Sequence, residues 1–352
     1  MFFPFNTNIL HFEGQSGYLE FRKTVIFLAI NPEELQQSCK LTNRIGKKYM
    51  ENFTKAMVGL DLSAMDGVLM KKVAFLSKLL GIEKIYFIHI SKNLSLPEEI
   101  KDHYPDILAP LDESIKAEIL VNIKEHPFPK EIELEVIVGE GNPRDTILRW
   151  ANIKDVDIMI MGRKNEMEGS GSLAKYMAQK SPCSVLFLTE NSEIAVPKKV
   201  LIPLDFSEHS NLTFKFAQKL FEETNTEILA LHIYEVPTGY YKTGKSYEEF
   251  AAIMKGHAKK DYEKFLQKYK HQHFECLFLM DEKENSGKFI TRMAQEHQAN
   301  WIIMGSRGRT SSASVLLGSV AENLVEANNM LPMLIFKKKG ENMNLIDAIL
   351  KI

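Results

Sequence analysis

Short apolar runs alternate with longer amphipathic stretches along most of the chain. Runs of four to eight apolar residues are typical of buried strands, and a 3.6-residue apolar period is typical of helices. The predicted strands include residues 132–138, 184–188, 274–280 and 333–336, and the predicted helices include residues 66–80, 143–151, 210–222 and 288–297. Strands that alternate with helices predict a parallel sheet covered by helices on both faces.

The second half of the chain repeats the first half at a nearly constant spacing. Four pairs of equivalent residues carry the repeat: Asp61 and Asp205, His89 and His232, Gly162 and Gly305, and Gly171 and Gly318. The first three pairs lie 143 or 144 positions apart and the fourth pair lies 147 apart. A repeat this long indicates a duplicated domain instead of a solenoid. The sequence therefore predicts two tandem α/β domains, each a five-stranded parallel sheet with helices on both faces.

The repeat also sets the predicted boundaries of the chain's parts. Residues 54–191 form domain 1 and residues 192–337 form domain 2, joined by a polar linker. Residues 1–53 form an N-terminal extension with one strand-like run at 24–30, and no function is predicted for it. Residues 338–352 form a C-terminal tail that ends in a short amphipathic helix candidate at 345–352.

The most informative chemistry lies in the loop after the fourth strand of domain 2. Gly305-Ser-Arg-Gly308 follows an apolar run, and Gly318-Ser319 precedes an amphipathic helix. Backbone N–H groups of such a loop and the positive end of the helix dipole together favour a phosphate. We expect Gly308 to adopt a positive φ and Gly318 to allow a close approach of phosphate to the backbone. Arg307 and Arg309 offer charge-assisted donors.

A simpler interpretation of the helix start stays open at this point. Ser319 and Glu322 have the spacing of a capping box, in which the serine hydroxyl only caps its own helix. The three spaced glycines and Asp205 favour phosphate binding over this alternative.

These motifs resemble those of the universal stress protein family, over about residues 54–337. The family pattern Gly-x2-Gly-x9-Gly-(Ser/Thr) is matched by Gly305, Gly308, Gly318 and Ser319. The family's Pro-x-Asp-x-Ser pattern is matched around Asp205 by Pro203-Leu-Asp205-Phe-Ser207. The resemblance implies a Rossmann-like, adenine-nucleotide α-hydrolase-like fold. It also implies a pseudo-dimer within the chain, because family members commonly pair through their last strands, and it leaves a homodimer open.

The resemblance further implies that domain 2 binds an adenine nucleotide, ATP with or without Mg²⁺. Asp205 and Ile233 are expected to hold the nucleoside. The expected phosphate-binding residues are Gly305, Arg307, Gly308, Gly318, Ser319 and Val320. Pro203 and Met304 complete the predicted nucleotide-binding set. The implied function is that of a nucleotide-dependent stress-response regulator with an unknown protein partner.

Domain 1 departs from the pattern at the equivalent loop. Asn165 stands in place of the second glycine, and Gly59 stands where domain 2 has Pro203. The loop from Gly162 to Gly171 is four residues shorter than its counterpart in domain 2. It also carries Glu166 and Glu168, which would repel a triphosphate. We therefore predict that domain 1 binds ATP weakly or not at all.

Two other functions remain as alternatives. The segment from Gly239 to Ser246 matches the P-loop pattern G-x4-G-K-[ST] and would make the protein a kinase or ATPase that uses Lys245. Against it, the preceding strand is the second of its repeat, and domain 1 has no counterpart. The other alternative is an interaction scaffold that binds no nucleotide. No nucleophile accompanies Asp61 or Asp205 and the sequence shows no positioned water activator, so we expect at most slow ATP hydrolysis. His271-x-His273 offers two metal ligands without a nearby third, so no metal site is predicted.

The overall composition limits which cellular compartment and which classes of partner are expected. The chain of 352 residues carries 44 basic and 46 acidic residues, a net charge of -2, which argues against nucleic acid or a membrane surface as partner. No apolar run approaches the ~20 residues that span a bilayer, and no signal-peptide pattern is evident. The three cysteines are widely separated and are expected to be reduced. A cytoplasmic location is the resulting expectation.

Overall fold

The computed structural model describes residues 53–94, 111–164, 170–269, 274–281, 283–309 and 317–339. The predicted strand at 24–30, the predicted tail helix at 345–352 and the His271-x-His273 pair lie outside these ranges. Among the described helices, none combines the length and the apolar character that a membrane span requires. Cys183 and Cys276 are both free thiols, and Cys183 is completely buried.

Domain 1 follows the predicted alternation of strands and helices. Its elements are β1 (Lys55–Gly59), α1 (Ala64–Leu80), β2 (Lys84–Ser91), α2 (Leu111–Glu125), β3 (Glu133–Glu140), α3 (Pro143–Ile153), β4 (Ile158–Arg163), α4 (Ser170–Lys180) and β5 (Ser184–Thr189). Helix starts follow capping rules, since the side chains of Ser63 and Asn142 accept N–H groups of the first turns of α1 and α3. Each predicted element of this domain is present, with ends shifted by one or two residues.

Domain 2 repeats the same order. Its elements are β6 (Lys199–Pro203), α5 (Glu208–Leu220), β7 (Glu227–Tyr234), α6 (Tyr247–Leu266), β8 (Glu275–Met280), α7 (Ser286–Glu296), β9 (Trp301–Gly305), α8 (Ser319–Ala327) and β10 (Met333–Phe336). A short 3-10 helix, Tyr240–Thr243, precedes α6. Ser207 caps α5 as Ser63 caps α1, so the repeat extends to the details of helix initiation.

All ten described strands belong to one sheet, in the order β3-β2-β1-β4-β5-β10-β9-β6-β7-β8. The five strands of each domain are parallel to one another, as predicted. The two halves join where β5 pairs antiparallel with β10, with Leu186 opposite Leu334. The last strands of the two domains therefore pair within the chain, and the central strands have no exposed edge.

Both faces of the sheet are buried under helices, which explains the nearly continuous apolar runs of the strands. Side chains of one strand alternate between two core clusters: Ala56 and Val58 join one cluster, and Met57 joins the other. At the junction of the domains, every residue of β5 and of β10 is buried. The core thus runs unbroken from domain 1 into domain 2.

The strand order fixes where a ligand site can form in domain 2. The chain leaves β6 toward β7 on one side and later returns to β9 on the other side of β6. Loops that leave the carboxyl ends of β6 and β9 therefore diverge and open a crevice, the usual ligand site of such sheets.

Candidate functional site

A cavity of about 280 Å³ lies in this crevice, between the carboxyl ends of β6, β7 and β9 and the N-terminus of α8. All ten residues of the predicted set line it: Pro203, Asp205, Ile233, Met304, Gly305, Arg307, Gly308, Gly318, Ser319 and Val320. The remaining lining residues are Leu204, Ser210, Leu231, His232, Ile290, Ser306, Arg309 and Ala321. The structure thus brings together groups that are 118 positions apart at the extremes, from Pro203 to Ala321.

The carboxylate of Asp205 is held firmly at the edge of the cavity. Its Oδ1 accepts the backbone N–H of Ser207 at 3.0 Å and the hydroxyl of Ser210. Its Oδ2 accepts the backbone N–H of Arg309 at 2.7 Å. Burial alone would raise the pKa of Asp205, but these hydrogen bonds outweigh it and hold the pKa below its ordinary value. Asp205 is therefore an ionised, oriented acceptor that also ties the glycine loop to β6.

A strained residue follows this aspartate in both domains. Phe206 has a φ of 62° and its domain 1 equivalent, Leu62, has a φ of 60°. Bulky residues rarely adopt this left-handed conformation. In domain 2 the turn stacks the ring of Phe206 on His232, with centroids 4.3 Å apart. Both copies therefore have the same strained turn directly after the aspartate. The residue types, Leu and Phe, do not predict its left-handed conformation.

His232 forms part of the cavity wall as a neutral ring. Its Nδ1 lies 2.8 Å from the carbonyl oxygen of Leu204. Burial lowers the pKa of His232, and the partial compensation from the Leu204 carbonyl does not cancel this effect. The ring of His232 is buried and stacked, a position that is typical of a packing role.

Close approaches explain two of the three glycines of the loop. A Cβ at Gly305 would lie 2.8 Å from Oγ1 of Thr213, and one at Gly308 would lie 2.7 Å from Oδ2 of Asp205. The expectation of a positive φ at Gly308 is wrong, because the positive-φ glycines of the described residues do not include it. Gly308 is needed because the loop passes directly over the Asp205 carboxylate.

Gly318 is different, because none of the described residues around it demands a glycine there. Its φ of -72° and ψ of 153° suit any residue. A Cβ would make only ordinary contacts, the nearest at 3.6 Å to the carbonyl oxygen of Ser306. The Cβ would, however, stand between the glycine loop and the helix start. The missing side chain therefore leaves a cradle that a ligand can fill.

The start of α8 lies beside this cradle. Gly318 is the N-cap of α8, and among the described residues no side chain caps the helix. The capping-box alternative for Ser319 and Glu322 is therefore wrong: Ser319 is the first helical residue, and Glu322 pairs with Lys175 of domain 1. The first N–H groups of a helix lack intrahelical acceptors and carry the positive end of its dipole. Here they belong to residues that line the cavity.

The equivalent region of domain 1 has its own set of side-chain contacts. A Cβ at Gly59 would lie 2.6 Å from the sulfur of Met161, and one at Gly162 would lie 2.9 Å from Cγ of Met65. Asp61, the counterpart of Asp205, pairs with Lys164 at 2.8 Å. Side chains of domain 1 thus approach these two glycines closely, and the counterpart of Asp205 is engaged in an ion pair.

The other domain 1 differences, Asn165, Glu166 and Glu168, lie outside the described residues. Weak ATP binding by domain 1 because of the length and charge of that loop therefore remains a prediction.

A buried acid distinguishes domain 1 further. Asp66 occupies the position of Ser210 and accepts the backbone N–H groups of Asp61 at 3.2 Å and Leu62 at 2.8 Å. Burial raises the pKa of Asp66 to about 6, and the nearby Asp61 charge adds to the effect.

Asp66→Asn is expected to gain about 1–2 kcal/mol of stability relative to the wild type between pH 4 and pH 7, because it carries no buried charge. The amide oxygen replaces only one of the two accepting carboxylate oxygens, so one of the two hydrogen bonds is lost at every pH. The folded pKa, about 6, exceeds the unfolded value of about 3.9, so the stabilising contribution of Asp66 is complete below pH ~4 and is lost as the pH rises through 6. The gain should vanish below pH ~4. Urea unfolding of wild type and variant across this range measures it.

Asp261→Asn is the control, because Asp261 lies on an exposed helix face and its removal should change stability by less than about 0.5 kcal/mol. An Asp66→Asn gain that is the same at pH 4 and pH 7 would contradict the assignment.

The P-loop alternative lies on a separate surface segment outside the cavity. Its backbone N–H groups are used within the loop: Tyr240, Lys242 and Gly244 donate to carbonyls of the loop itself, at 3.0–3.3 Å. Ser246 caps α6 through a capping box with Glu249. A working P-loop instead directs successive N–H groups at a phosphate. This geometry does not favour the alternative that relies on Lys245.

The fold and the cavity define a class: a tandem α/β protein whose second copy carries a glycine-lined crevice at the reversal of strand order. A comparison with known protein families finds the same family in both copies of the repeat. The model of the universal stress protein family matches residues 52–188 and again residues 197–337. The chain belongs to the universal stress protein family.

Individual relatives match one copy or the whole fold. Two universal stress proteins of Methanocaldococcus jannaschii are 28% and 30% identical over 157 and 146 residues, covering 41% and 40% of this chain and 96% and 82% of the relatives. A universal stress protein structure from Archaeoglobus fulgidus superimposes with a TM-score of 0.50 at 20% identity, covering 81% of this chain and 97% of that one. A Pseudomonas aeruginosa protein of unknown function gives 0.61 at 12% identity, covering 86% and 99%. At these identities the two structures support the fold alone.

Proposed function

We propose that domain 2 binds ATP in the crevice between β6 and β9 and that the protein is a nucleotide-dependent stress-response regulator. The observation that carries the proposal is the cavity itself. It combines a fixed carboxylate, Asp205, with a helix N-terminus whose N-cap, Gly318, leaves a cradle open.

The two ends of the cavity suit the two parts of a nucleotide. Asp205 and Ile233 lie at the ends of β6 and β7 and would hold the nucleoside, with the carboxylate accepting hydrogen bonds from it. Gly305, Gly308 and the first residues of α8 would surround the phosphates. Arg307 adds positive charge to this end, and Mg²⁺ bound with the phosphates would offset their charge further. The mixture of apolar walls and few polar groups is typical of small-molecule sites.

The site is better suited to binding than to rapid hydrolysis. The carboxylate of Asp205 already accepts three hydrogen bonds and has a lowered pKa, so it is a weak base for activating water. We therefore propose that ATP acts by changing contacts with a protein partner, with hydrolysis slow at most. Domain 1 would serve as the fold partner of the binding domain.

Calorimetric titration of the full chain with ATP tests the proposal. We expect one ATP per chain, and we expect Lys245→Ala to bind ATP as the wild type does. Lys245 is a suitable control because it is exposed and does not line the cavity.

Each other outcome would contradict part of the proposal. Two ATP molecules per chain would contradict the prediction that domain 1 binds ATP weakly or not at all. Turnover that is lost only in Lys245→Ala would favour the kinase or ATPase. No binding by folded wild type would favour the scaffold.

A further inference from the structure

The end of β4 in domain 1 carries a buried arginine, Arg163, whose side chain reaches into domain 2. Arg163 ends β4 at the position that Ser306 occupies in domain 2, and only 4% of it is exposed. Its guanidinium donates to the carbonyl oxygen of Val325 and, at 3.2 Å, to that of Glu326. Both carbonyls belong to the last turn of α8, the helix whose first turn lines the cavity.

These two hydrogen bonds are charge-assisted. Burial lowers the pKa of Arg163 to about 10, which still leaves the guanidinium protonated at neutral pH. Its positive charge faces the negative end of the helix dipole and satisfies carbonyls that have no intrahelical partner. Since a buried charge is costly unless it is well paired, removal of either side of this contact is expected to disturb α8 substantially.

Other contacts hold α8 along its length. Lys175 on α4 of domain 1 pairs with Glu322 and, at 2.5 Å, with Glu326. These are partly exposed ion pairs and are worth little by themselves. From domain 2, α7 packs closely on the middle of α8 through Gly287. At the C-terminal end, Arg163 supplies a buried polar contact from domain 1.

Because α8 is short, its two ends are mechanically linked. Nine residues form a rod of roughly 14 Å. A change of tilt at Val325 therefore moves the N–H groups of Ser319 and Val320, which face the cavity.

We infer that Arg163 is a positioning residue for the nucleotide site of domain 2: the end of β4 in domain 1 holds the helix that receives the phosphates. The inference rests on the proposed function. It gives domain 1 a role in binding although its own glycine motif is incomplete. It also predicts different effects on the two parts of the ligand. The helix α8 would contact the phosphates, whereas Asp205 on the β6 side would contact the nucleoside.

The test compares wild type, Arg163→Met and the control Lys164→Met by titration with ATP and with adenosine. Lys164 is the next residue, but it pairs with Asp61 inside domain 1. We expect Arg163→Met to weaken ATP binding about tenfold or more and to leave adenosine affinity within about twofold of the wild type. Lys164→Met should change neither affinity. Arg163→Lys, which keeps the positive charge, should recover part of the loss.

Hydrogen exchange without nucleotide gives an independent measurement. Backbone amides of residues 319–327 should exchange faster in Arg163→Met, whereas those of α5 should not. Unchanged exchange in α8, unchanged ATP affinity, or equal losses for ATP and adenosine would each overturn the inference. Failure of the wild type to bind ATP would instead overturn the proposed function, and the role of Arg163 in binding with it. If Arg163→Met does not fold, the same comparisons are made with Arg163→Lys, for which a smaller, ATP-selective loss is expected.

Discussion

Gly287→Ala is expected to lower the free energy of unfolding by about 2–4 kcal/mol, because the added methyl group would enter the backbone of a neighbouring helix. A Cβ at Gly287 would lie 2.6 Å from the backbone nitrogen of Leu324 and nearer still to the carbonyl group of Asn323. Backbone atoms cannot rotate aside as a side chain can. The helices α7 and α8 must therefore separate, and their packing must loosen.

The sign of this effect makes it a sharp test. Inside a helix, alanine is normally more favourable than glycine by about 0.5–1 kcal/mol. Gly256→Ala on α6 is the matched control, since nothing lies within 4 Å of a Cβ there. We expect this control to gain stability by about that amount in urea unfolding monitored by circular dichroism. Equal gains for the two variants would show that α7 and α8 do not pack as described.

The same substitution should also affect the candidate site. Asn323 and Leu324 lie in the middle of α8, so a shift there moves the residues that line the cavity. Reduced ATP affinity in a folded Gly287→Ala protein would follow from the same displacement that Arg163→Met is expected to cause.

Much of the fold could be predicted because periodicity and repetition are local properties. The alternation of apolar and amphipathic runs located the predicted strands and helices of both domains, and parallel strands place their carboxyl ends at one edge. All ten members of the predicted set therefore line one cavity. The repeat alone did not reveal that β5 pairs with β10. The family resemblance implied pairing through the last strands, and the structure adds that the pairing is antiparallel.

The errors concern features that depend on neighbours in space. Gly308 was assigned a left-handed conformation from its residue type, but the constraint is the Asp205 carboxylate, 103 positions earlier. Ser319 has the spacing of a capping residue, yet Glu322 is drawn instead to Lys175 of the other domain. Ser210 and Ile290 line the cavity from two different helices, and neither belongs to a motif. Tertiary contacts determine the conformation and the partners of such residues, and a single sequence does not show these contacts.

Gly318→Val is expected to weaken ATP binding by about 100-fold or more while it leaves the free energy of unfolding within about 1 kcal/mol of the wild type. The backbone conformation at Gly318 lies in the extended region that valine prefers, and among the described residues its Cβ would meet no atom closer than 3.6 Å. The protein alone should therefore accept the side chain. The valine methyl groups would, however, occupy the cradle between the glycine loop and the first turn of α8. Calorimetry with ATP and urea unfolding measure the two quantities.

The repeat provides the matched control, Gly171→Val, at the equivalent sequence position of domain 1. If ATP binds only in domain 2, this variant should keep the wild-type affinity and stoichiometry. Gly318→Ala should give a smaller loss than valine, because one methyl group fills less of the cradle. Wild-type affinity in Gly318→Val would exclude the start of α8 as the phosphate site. A loss of affinity accompanied by a large loss of stability would instead mean that Gly318 is required by the fold, contrary to the ordinary contacts around its Cβ.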